Sequence, residues 1–569
     1  MNPSRQWLPR SIQCLRGYTL NDLSHDLIAG VTVGLIALPL AMAFAIASGV
    51  PPQVGLYTAV IAGFIISALG GSRTQIGGPT GAFVIIVAGI VLKFGMGGLA
   101  LVGIMAGVLL LIMGLTGLGS AVKYIPRPVT IGFTNGIALL IASTQIKDFL
   151  GLTTPAVPSD FLSRAKMLVH YIATARPETI ALGVASLAII LCLPRLTRRI
   201  PGTIVALILA TAVSATFHLH LETIGTKFGG IPRGLPHIAL PNFHGVHVLT
   251  LLPSAFTVAM LAAVESLLSA VVADGMSGDH HDSNMELIAQ GIANIISPMF
   301  GGMPATGAVA RTATNIRSGA HTPVAGIVHA ATLLLILLFA APLASYVPLT
   351  TLAAVLFVVA YNMGEWREIS TIFHLSKTDI AVWFTTFSLT VFADLTVAVG
   401  VGMSLAALLY IYRVAATTTV TPVTHEYLLD GQAHILQDKE IPSNVTILRI
   451  HGPFLFGTTE KLAEATRDLN QLGEIVILRL RNMTALDATG VHAFEQFNTR
   501  LHITGRTLLL CGARDQPSRI IDHSDFLKHV GPENVLPNVQ AALTRARELQ
   551  GNFEGLAPEL TVELAKQPI

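Results

Sequence analysis

The chain has 569 residues, of which 52% are apolar and only 12% charged, with a formal net charge of +2. Ordinary globular domains carry about 25% charged residues. This balance excludes a disordered chain, a coiled coil and a typical cytosolic enzyme, and without a basic block nothing points to nucleic-acid binding.

Residues 1–26 form a polar N-terminal segment with Arg5, Arg10 and Arg16. The apolar run that begins at Leu27 is too long for a signal peptide and has no small-residue cleavage site after it, so it reads as the first membrane helix. A helix needs about 20 apolar residues to cross the hydrocarbon core. Candidate spans are Leu27–Ala47, Val54–Leu69, Gly97–Ala121, Val129–Ile146, Glu178–Leu193 and Pro201–Phe217. A polar, Pro- and His-rich stretch, Leu219–Val248, follows. Spans resume at Leu251–Asp274, Glu286–Met303, Val324–Leu343, Pro348–Met363, Asp379–Phe392 and Leu395–Ile411.

Two apolar pieces are too short to cross alone. Thr80–Leu92 follows Gly77-Gly78-Pro79, and Gly307–Ile316 follows Gly301-Gly302-Met303-Pro304. Each is the third segment of its half. Counting them gives fourteen segments, seven in 27–218 and seven in 251–414. An odd number per half inverts the second half, so the pattern reads as an inverted repeat. Paired, Gly/Pro-interrupted short segments at matching positions point to a transporter site, although glycine-rich packing helices would look alike. Arg5, Arg10, Arg16, Arg73, Lys123, Arg127, Arg195, Arg198 and Arg199 fall on one side of this arrangement, while Lys93 and Lys147 fall on the other. The bias places both termini in the cytoplasm.

After Arg413 the pattern changes. Val445–Ile450 (VTILRI), Ile475–Leu480 (IVILRL) and Thr507–Cys511 read as strands. Helical periodicity covers Thr459–Leu469 and a stretch from about Thr489. Alternation of this kind predicts a small cytoplasmic α/β domain over 427–549, with 550–569 as a loosely held tail.

The chain resembles the SulP (sulfate permease) anion transporters that carry a C-terminal STAS domain. The resemblance spans nearly the whole chain. It rests on Ala37-Leu38-Pro39 through Gly55-Leu56-Tyr57, on Gly77-Gly78-Pro79-Thr80-Gly81-Ala82, on Glu265-Ser266-Leu267-Leu268, on Gln290-Gly291, and on Gly307-Ala308-Val309-Ala310-Arg311-Thr312. The segments Gln145-Ile146-Lys147-Asp148-Phe149-Leu150-Gly151-Leu152 and Asp274-Gly275-Met276 look like the bacterial C4-dicarboxylate uptake branch. The resemblance implies a core domain and a gate domain of seven-plus-seven inverted segments, with substrate between the facing starts of segments three and ten. It also implies a homodimer in the bacterial inner membrane.

The residues support that chemistry independently. A helix that starts inside the membrane leaves backbone N–H groups unpaired and carries roughly half a positive charge at its start. Two such starts face to face make an anion pocket with few formal charges. Thr80, Gly81 and Ala82 would supply one, and Gly307, Ala308, Val309 and Ala310 the other. Arg311 adds a formal positive charge at membrane depth, where charges serve a cavity or a partner. Glu265, mid-span among apolar residues, is its expected counterpart. A carboxylate poised between desolvation and a nearby cation can take up and release a proton. Glu265 is therefore the expected coupling site, with Ser269 one turn on as its expected hydrogen-bond partner. Sodium-coupled family members place a short carboxylate and a hydroxyl at this spacing, and glutamate here favours a proton over sodium.

Phe44 resembles the family's aromatic pocket wall, and core packing explains it equally well. Leu40 departs from the glutamine many members carry there, which makes the wall less polar. Asp279-His280-His281-Asp282 reads as a solvated turn, not a metal site. Cys14, Cys192 and Cys511 lie far apart without CxxC spacing, as free thiols. No Gly-Lys phosphate loop or nucleophile–base signature is present, so neither an ATP motor, a cofactor nor an enzyme is expected. In the soluble part, Leu486-Asp487-Ala488-Thr489-Gly490 resembles the STAS signature in which the hydroxyl before glycine is phosphorylated, here Thr489; helix capping by Asp487 and Thr489 is the plainer reading. The expected function is secondary active transport of sulfate or a C4-dicarboxylate by proton symport. A sodium-coupled bicarbonate transporter, an uncoupled channel or exchanger on the same fold, and a membrane-anchored signalling protein are the alternatives.

Overall fold

The computed structural model describes the chain except residues 1–7, 121–125, 156, 159, 198–200, 218, 233, 235–237, 239–247, 375, 394, 424–440 and 565–569. Arg5, Lys123, Arg198 and Arg199 of the charge bias lie outside the described residues, as does most of the second half of the His-rich stretch. Two compact units emerge, 1–406 and 407–569.

The membrane unit begins earlier than its apolar run. Helix α1 spans Leu20–Ala47, because Thr19 and Asp22 form a reciprocal cap at its start. A further short helix, Arg10–Leu15, lies within the expected N-terminal segment. Next come α2 (Pro52–Leu69) and the helical stretch Val84–Leu115. Gly95, at φ 68, ψ −172, breaks that stretch into α3 (84–94) and α4 (96–115), a conformation that glycine alone adopts without strain. Helices α5 (Arg127–Leu150), α6 (Pro177–Leu196) and α7 (Gly202–Thr216) complete the first half. The second half supplies α8 (Val248–Ser277), α9 (Ser283–Ile296), α10 (Val309–Arg317), α11 (Val324–Phe339), α12 (Leu349–Met363), α13 (Lys377–Phe392) and α14 (Leu395–Thr417). Seven segments thus stand in each half, as an inverted repeat. Eight helices among the described residues are long and apolar enough to cross a membrane alone.

Two bundles share the work. In one, α4 packs on α9 and α8, and α11 packs on α1 and α2. In the other, α5 packs on α12 and α13, and α12 on α6. Glycines spaced four apart set several of these contacts. A Cβ at Gly107 would meet Gly291 O at 2.6 Å, and one at Gly291 would meet Gly107 O at 2.8 Å. Gly30 and Gly34 admit Val328 and Thr332 of α11, and Gly132 and Gly136 admit the α13 backbone and Thr390. Lipid tails are as apolar as leucine, so close packing replaces the hydrophobic effect as the force between such helices.

The soluble unit is a five-stranded sheet in the order β3 (Thr419–Pro422), β4 (Val445–Phe454), β5 (Ile475–Leu486), β6 (Thr507–Cys511), β7 (Val535–Leu536). The pairings from β4 through β7 are parallel, and β3 joins β4 antiparallel. One face carries Ile450, Phe454, Phe494, Phe497 and Phe526. The other carries Ile447, Ile477 and Leu509 against Leu543 and Ala546. The sequence pattern missed β3 and β7. Strand β3 is largely exposed and ends in proline, and β7 has two residues, so neither shows alternation. The helix that begins at Val539 continues to Leu564, through most of the expected tail.

Two measurements check these contacts. Gly291→Val should lower the stability of the purified chain by about 1–3 kcal/mol, read as a fall in its thermal midpoint, because two backbones must separate. Burial pushes the Cys511 thiol up to about 12. In a chain with Cys14 and Cys192 replaced by serine, maleimide at pH 8 should therefore label Cys511 only after denaturant is added.

Candidate functional site

The site starts from a length. Nine residues of α10 rise about 13 Å, against a hydrocarbon core of about 30 Å. Helix α10 is therefore too short to cross the core, and so is α3 (84–94), whose first turn is the tight helix Gly81–Phe83. The chain leading into each start is extended, and the two lead-ins pair with each other. Strand β1 (Gly77–Gly78) runs antiparallel to β2 (Thr306–Gly307), with Gly77 opposite Gly307 and Gly78 opposite Thr306. Ala308 N–H extends this pairing to Ile76 O at 2.8 Å.

Side chains satisfy what this pairing leaves over. Thr312 Oγ1, on α10, accepts from Ile76 N at 3.0 Å, and Asn315 Nδ2 donates to Thr74 O at 2.8 Å. Asn294 of α9 brackets the other lead-in, donating to Ala305 O at 2.8 Å and accepting from Ala305 N at 2.9 Å. Thr58 Oγ1 of α2 accepts from Met303 N at 2.8 Å, and Thr306 Oγ1 donates to Ala262 O at 3.0 Å. Thr58, Asn294, Thr306, Thr312 and Asn315 are all 0% exposed. The sequence reading assigned no role to Thr58, Asn294 or Thr312. A signal existed: Glu286, Gln290 and Asn294 stand four apart in an apolar helix, a buried polar stripe. Glu286 uses that position to accept from Gly71 N at 3.0 Å and from Gln290 Nε2 at 2.9 Å.

The two helix starts are bare. Thr80 and Ala308 hold the N-cap positions, and neither makes a side-chain cap bond. The N–H of Ala308 is spent on Ile76, so α10 offers the N–H groups of Val309, Ala310 and Arg311 instead. Ala310 is exposed and Val309 half-buried, so that start opens to a space. On α3, Gly81 and Ala82 are buried, and a Cβ at Gly81 would meet Ile141 of α5 and Met363 of α12 at 3.2 Å each. The α3 start therefore faces the other bundle.

Three polar side chains complete the site. The hydroxyl of Thr80 donates to Glu265 Oε2 at 2.9 Å, which draws the carboxylate from mid-α8 to the start of α3. Arg311 is 2% exposed. Its Nη2 donates to Pro79 O, and its Nη1 is buried without a partner. Among the described residues Arg311 forms no ion pair, though its charge reaches Glu265. The structure thus brings Thr80, Glu265 and Arg311 together around the start of α3. Ser269 does not join Glu265: its hydroxyl donates to Thr312 Oγ1 at 3.1 Å, serving the lead-in clamp. Phe44 is buried in the same apolar cluster as Ala82 and Phe83. His329 of α11, 0% exposed, has both ring nitrogens unpartnered and feels the Arg311 charge. A cavity of about 940 Å³ lies elsewhere, between Phe149, Leu187, Pro194, Phe357 and Tyr361, and its lining contains no acidic or basic side chain.

The residues read as a turn have separate duties. Asp279 pairs with Arg73 at 2.8 Å, His281 Nδ1 meets Asp274 at 2.7 Å, and Asp282 caps α9. In the soluble unit, Asp487 caps the helix Ala488–Ile503 by accepting from Gly490 N at 2.8 Å. Thr489 is exposed in its first turn and leaves the capping to Asp487.

Comparisons with known proteins add to this geometry. The pattern of the sulfate permease family matches residues 23–386, and that of the STAS domain matches 437–542. A Bacillus subtilis protein that bears the name "Putative sulfate transporter YvdB" is 40% identical over 91% of this chain and 97% of its own. The bicarbonate transporter BicA of Picosynechococcus is 30% identical over 95% of this chain and 97% of its own. The solved structure of the murine anion transporter Slc26a9 covers 96% of this chain and 95% of its own with a TM-score of 0.85, at 19% identity, and shows the shared fold.

Removing the Thr312 hydroxyl tests the clamp. Thr312→Val should leave the Ile76 amide unsatisfied and cost about 1–3 kcal/mol, seen as a lower thermal midpoint. Thr314→Val, whose hydroxyl only bonds its own helix at Ala310 O, should change it by less than about 0.5 kcal/mol.

Proposed function

This chain belongs to the sulfate permease family of anion transporters, and from its site we propose that it moves sulfate or a C4-dicarboxylate by proton symport. The observation that carries the reading is the Glu265 carboxylate bonded to Thr80, at a helix start that also faces the unpartnered Nη1 of Arg311. An anion entering the pocket meets the N–H groups of two helix starts and one guanidinium. Ionised Glu265 competes for the same positive field. A proton on Glu265 removes that competition, so anion and proton enter together. Translocation is a rocking of the bundle that bears the two helix starts against the bundle of α5 and α12, which Gly81 abuts. Close glycine packing inside each bundle lets each move as a body.

The Lys/Arg bias supports an inner-membrane protein with both termini and the STAS domain in the cytoplasm. Family membership supports a homodimer. Sulfate leads because a relative covering nearly the whole chain is named for it. Sodium-coupled bicarbonate transport is the second reading, favoured by the name of another full-length relative. Phosphorylation of the exposed Thr489 is a proposed regulatory input, and equal transport by Thr489→Ala and Thr489→Glu would remove it.

Proteoliposome uptake tests the whole reading, with labelled sulfate, succinate and bicarbonate under imposed proton and sodium gradients. Sulfate or succinate should accumulate when the proton gradient is inward and should not respond to sodium. Glu265→Gln should abolish accumulation against a gradient while leaving equilibration. Arg311→Ala should reduce uptake at least tenfold. Full proton-driven accumulation by Glu265→Gln would sink the assignment.

A further inference from the structure

The charges at the site can be set against the charge of what it carries. Arg311 contributes one positive charge and Glu265, when ionised, one negative charge. Each helix start contributes roughly half a positive charge. The pocket therefore holds roughly one positive charge while Glu265 is ionised and roughly two once it is protonated. Among the described residues, the other ionisable groups on these elements are bonded elsewhere or stand at far ends, apart from His329, whose ring is fully buried without a hydrogen-bond partner. Helix α4 has no Asp, Glu, His, Lys or Arg, and Lys93 stands at the far end of α3. On α8, Asp274 is bonded to His281, and on α9, Glu286 is bonded to Gly71 and Gln290. Strand β2 contributes none, and Arg317 stands at the opposite end of α10. On α11, His329 lies beside Gly63 of α2, with its nearest ring atom 3.6 Å from where a Cβ at Gly63 would sit.

We propose that Glu265 sets the valence of the anion this site accepts: ionised, it tunes the pocket to monovalent anions, and protonated, to divalent ones. The inference rests on the anion pocket proposed above. It goes further by making one residue a determinant of specificity as well as of coupling. The mechanism is charge complementarity in a site that water screens poorly, where an uncompensated unit charge is costly. The Thr80 bond is what gives Glu265 this leverage, because it fixes the carboxylate at the start of α3 instead of leaving it remote on α8. The arrangement lets one pocket carry a monovalent anion alone or a divalent anion with a proton, with the same net charge in the loaded pocket.

Sulfate and nitrate are suitable probes, since neither changes charge between pH 5.5 and pH 8. Titration calorimetry of the full chain in detergent, at matched ionic strength, gives the affinity ratio of sulfate to nitrate. In the wild type the ratio should rise at least tenfold from pH 8 to pH 5.5. Glu265→Gln should hold the high, sulfate-favouring ratio at both pH values, and Glu265→Asp should restore the pH dependence. A wild-type ratio that moves less than threefold, or moves toward nitrate at low pH, overturns the proposal, and this series needs no variant to fold. A Glu265→Gln ratio within threefold of the wild type at pH 8 overturns it too. Failure of the underlying pocket looks different: neither anion then binds saturably to the wild type, or Arg311→Ala binds both unchanged.

Discussion

The fold is organised around backbone that cannot be left bare in lipid. Each unsatisfied peptide group in the hydrocarbon core costs several kcal/mol. Two helices that stop short of the membrane face would expose such groups at their starts and along their lead-ins. The antiparallel pairing of Gly77–Gly78 with Thr306–Gly307 answers this, because each lead-in becomes the partner of the other. Only small residues fit there. A Cβ at Gly307 would strike Gln75, and one at Gly78 would come within 2.7 Å of Arg311 Nη1. The pairing fixes the two lead-ins, and with them both helix starts, in one place.

The rest of the bundle supports this crossing with neutral side chains. Thr58, Asn294, Thr312 and Asn315 donate and accept where water cannot reach. They hold the lead-ins without adding charge. In the proposed anion pocket, two helix starts, Arg311 and Glu265 would then set the field. Ser269 joins this scaffold by bonding the Thr312 hydroxyl, while Thr80 bonds across to the carboxylate of Glu265.

Much of this was legible in the residue order, though unevenly. The Gly/Pro breaks at 77–79 and 301–304 marked the two short helices, since a break followed by too few apolar residues cannot span. Arg311 and Glu265 stood out as charges in apolar surroundings. Thr312 and Asn294 did not, because a threonine or asparagine in a membrane helix has many uses and its partner is distant in sequence. The same holds for Ser269, which lies one turn from Glu265 yet bonds across to α10. Strand β3 was hidden because an exposed edge strand carries no alternation.

By itself the sequence determined the number of membrane segments, the inverted arrangement of its halves, the two interrupted helices and the α/β domain after them. These follow from local quantities, namely apolar run length, glycine and proline breaks and period. The tertiary structure alone decided which bonds close the site. That Thr80 takes Glu265, that Ser269 serves Thr312, and that Ala308 spends its amide on Ile76 depend on contacts between residues from 43 to over two hundred positions apart. Hydrogen bonds at such separations are set by how helices cross, and no periodicity along one strand of sequence records that.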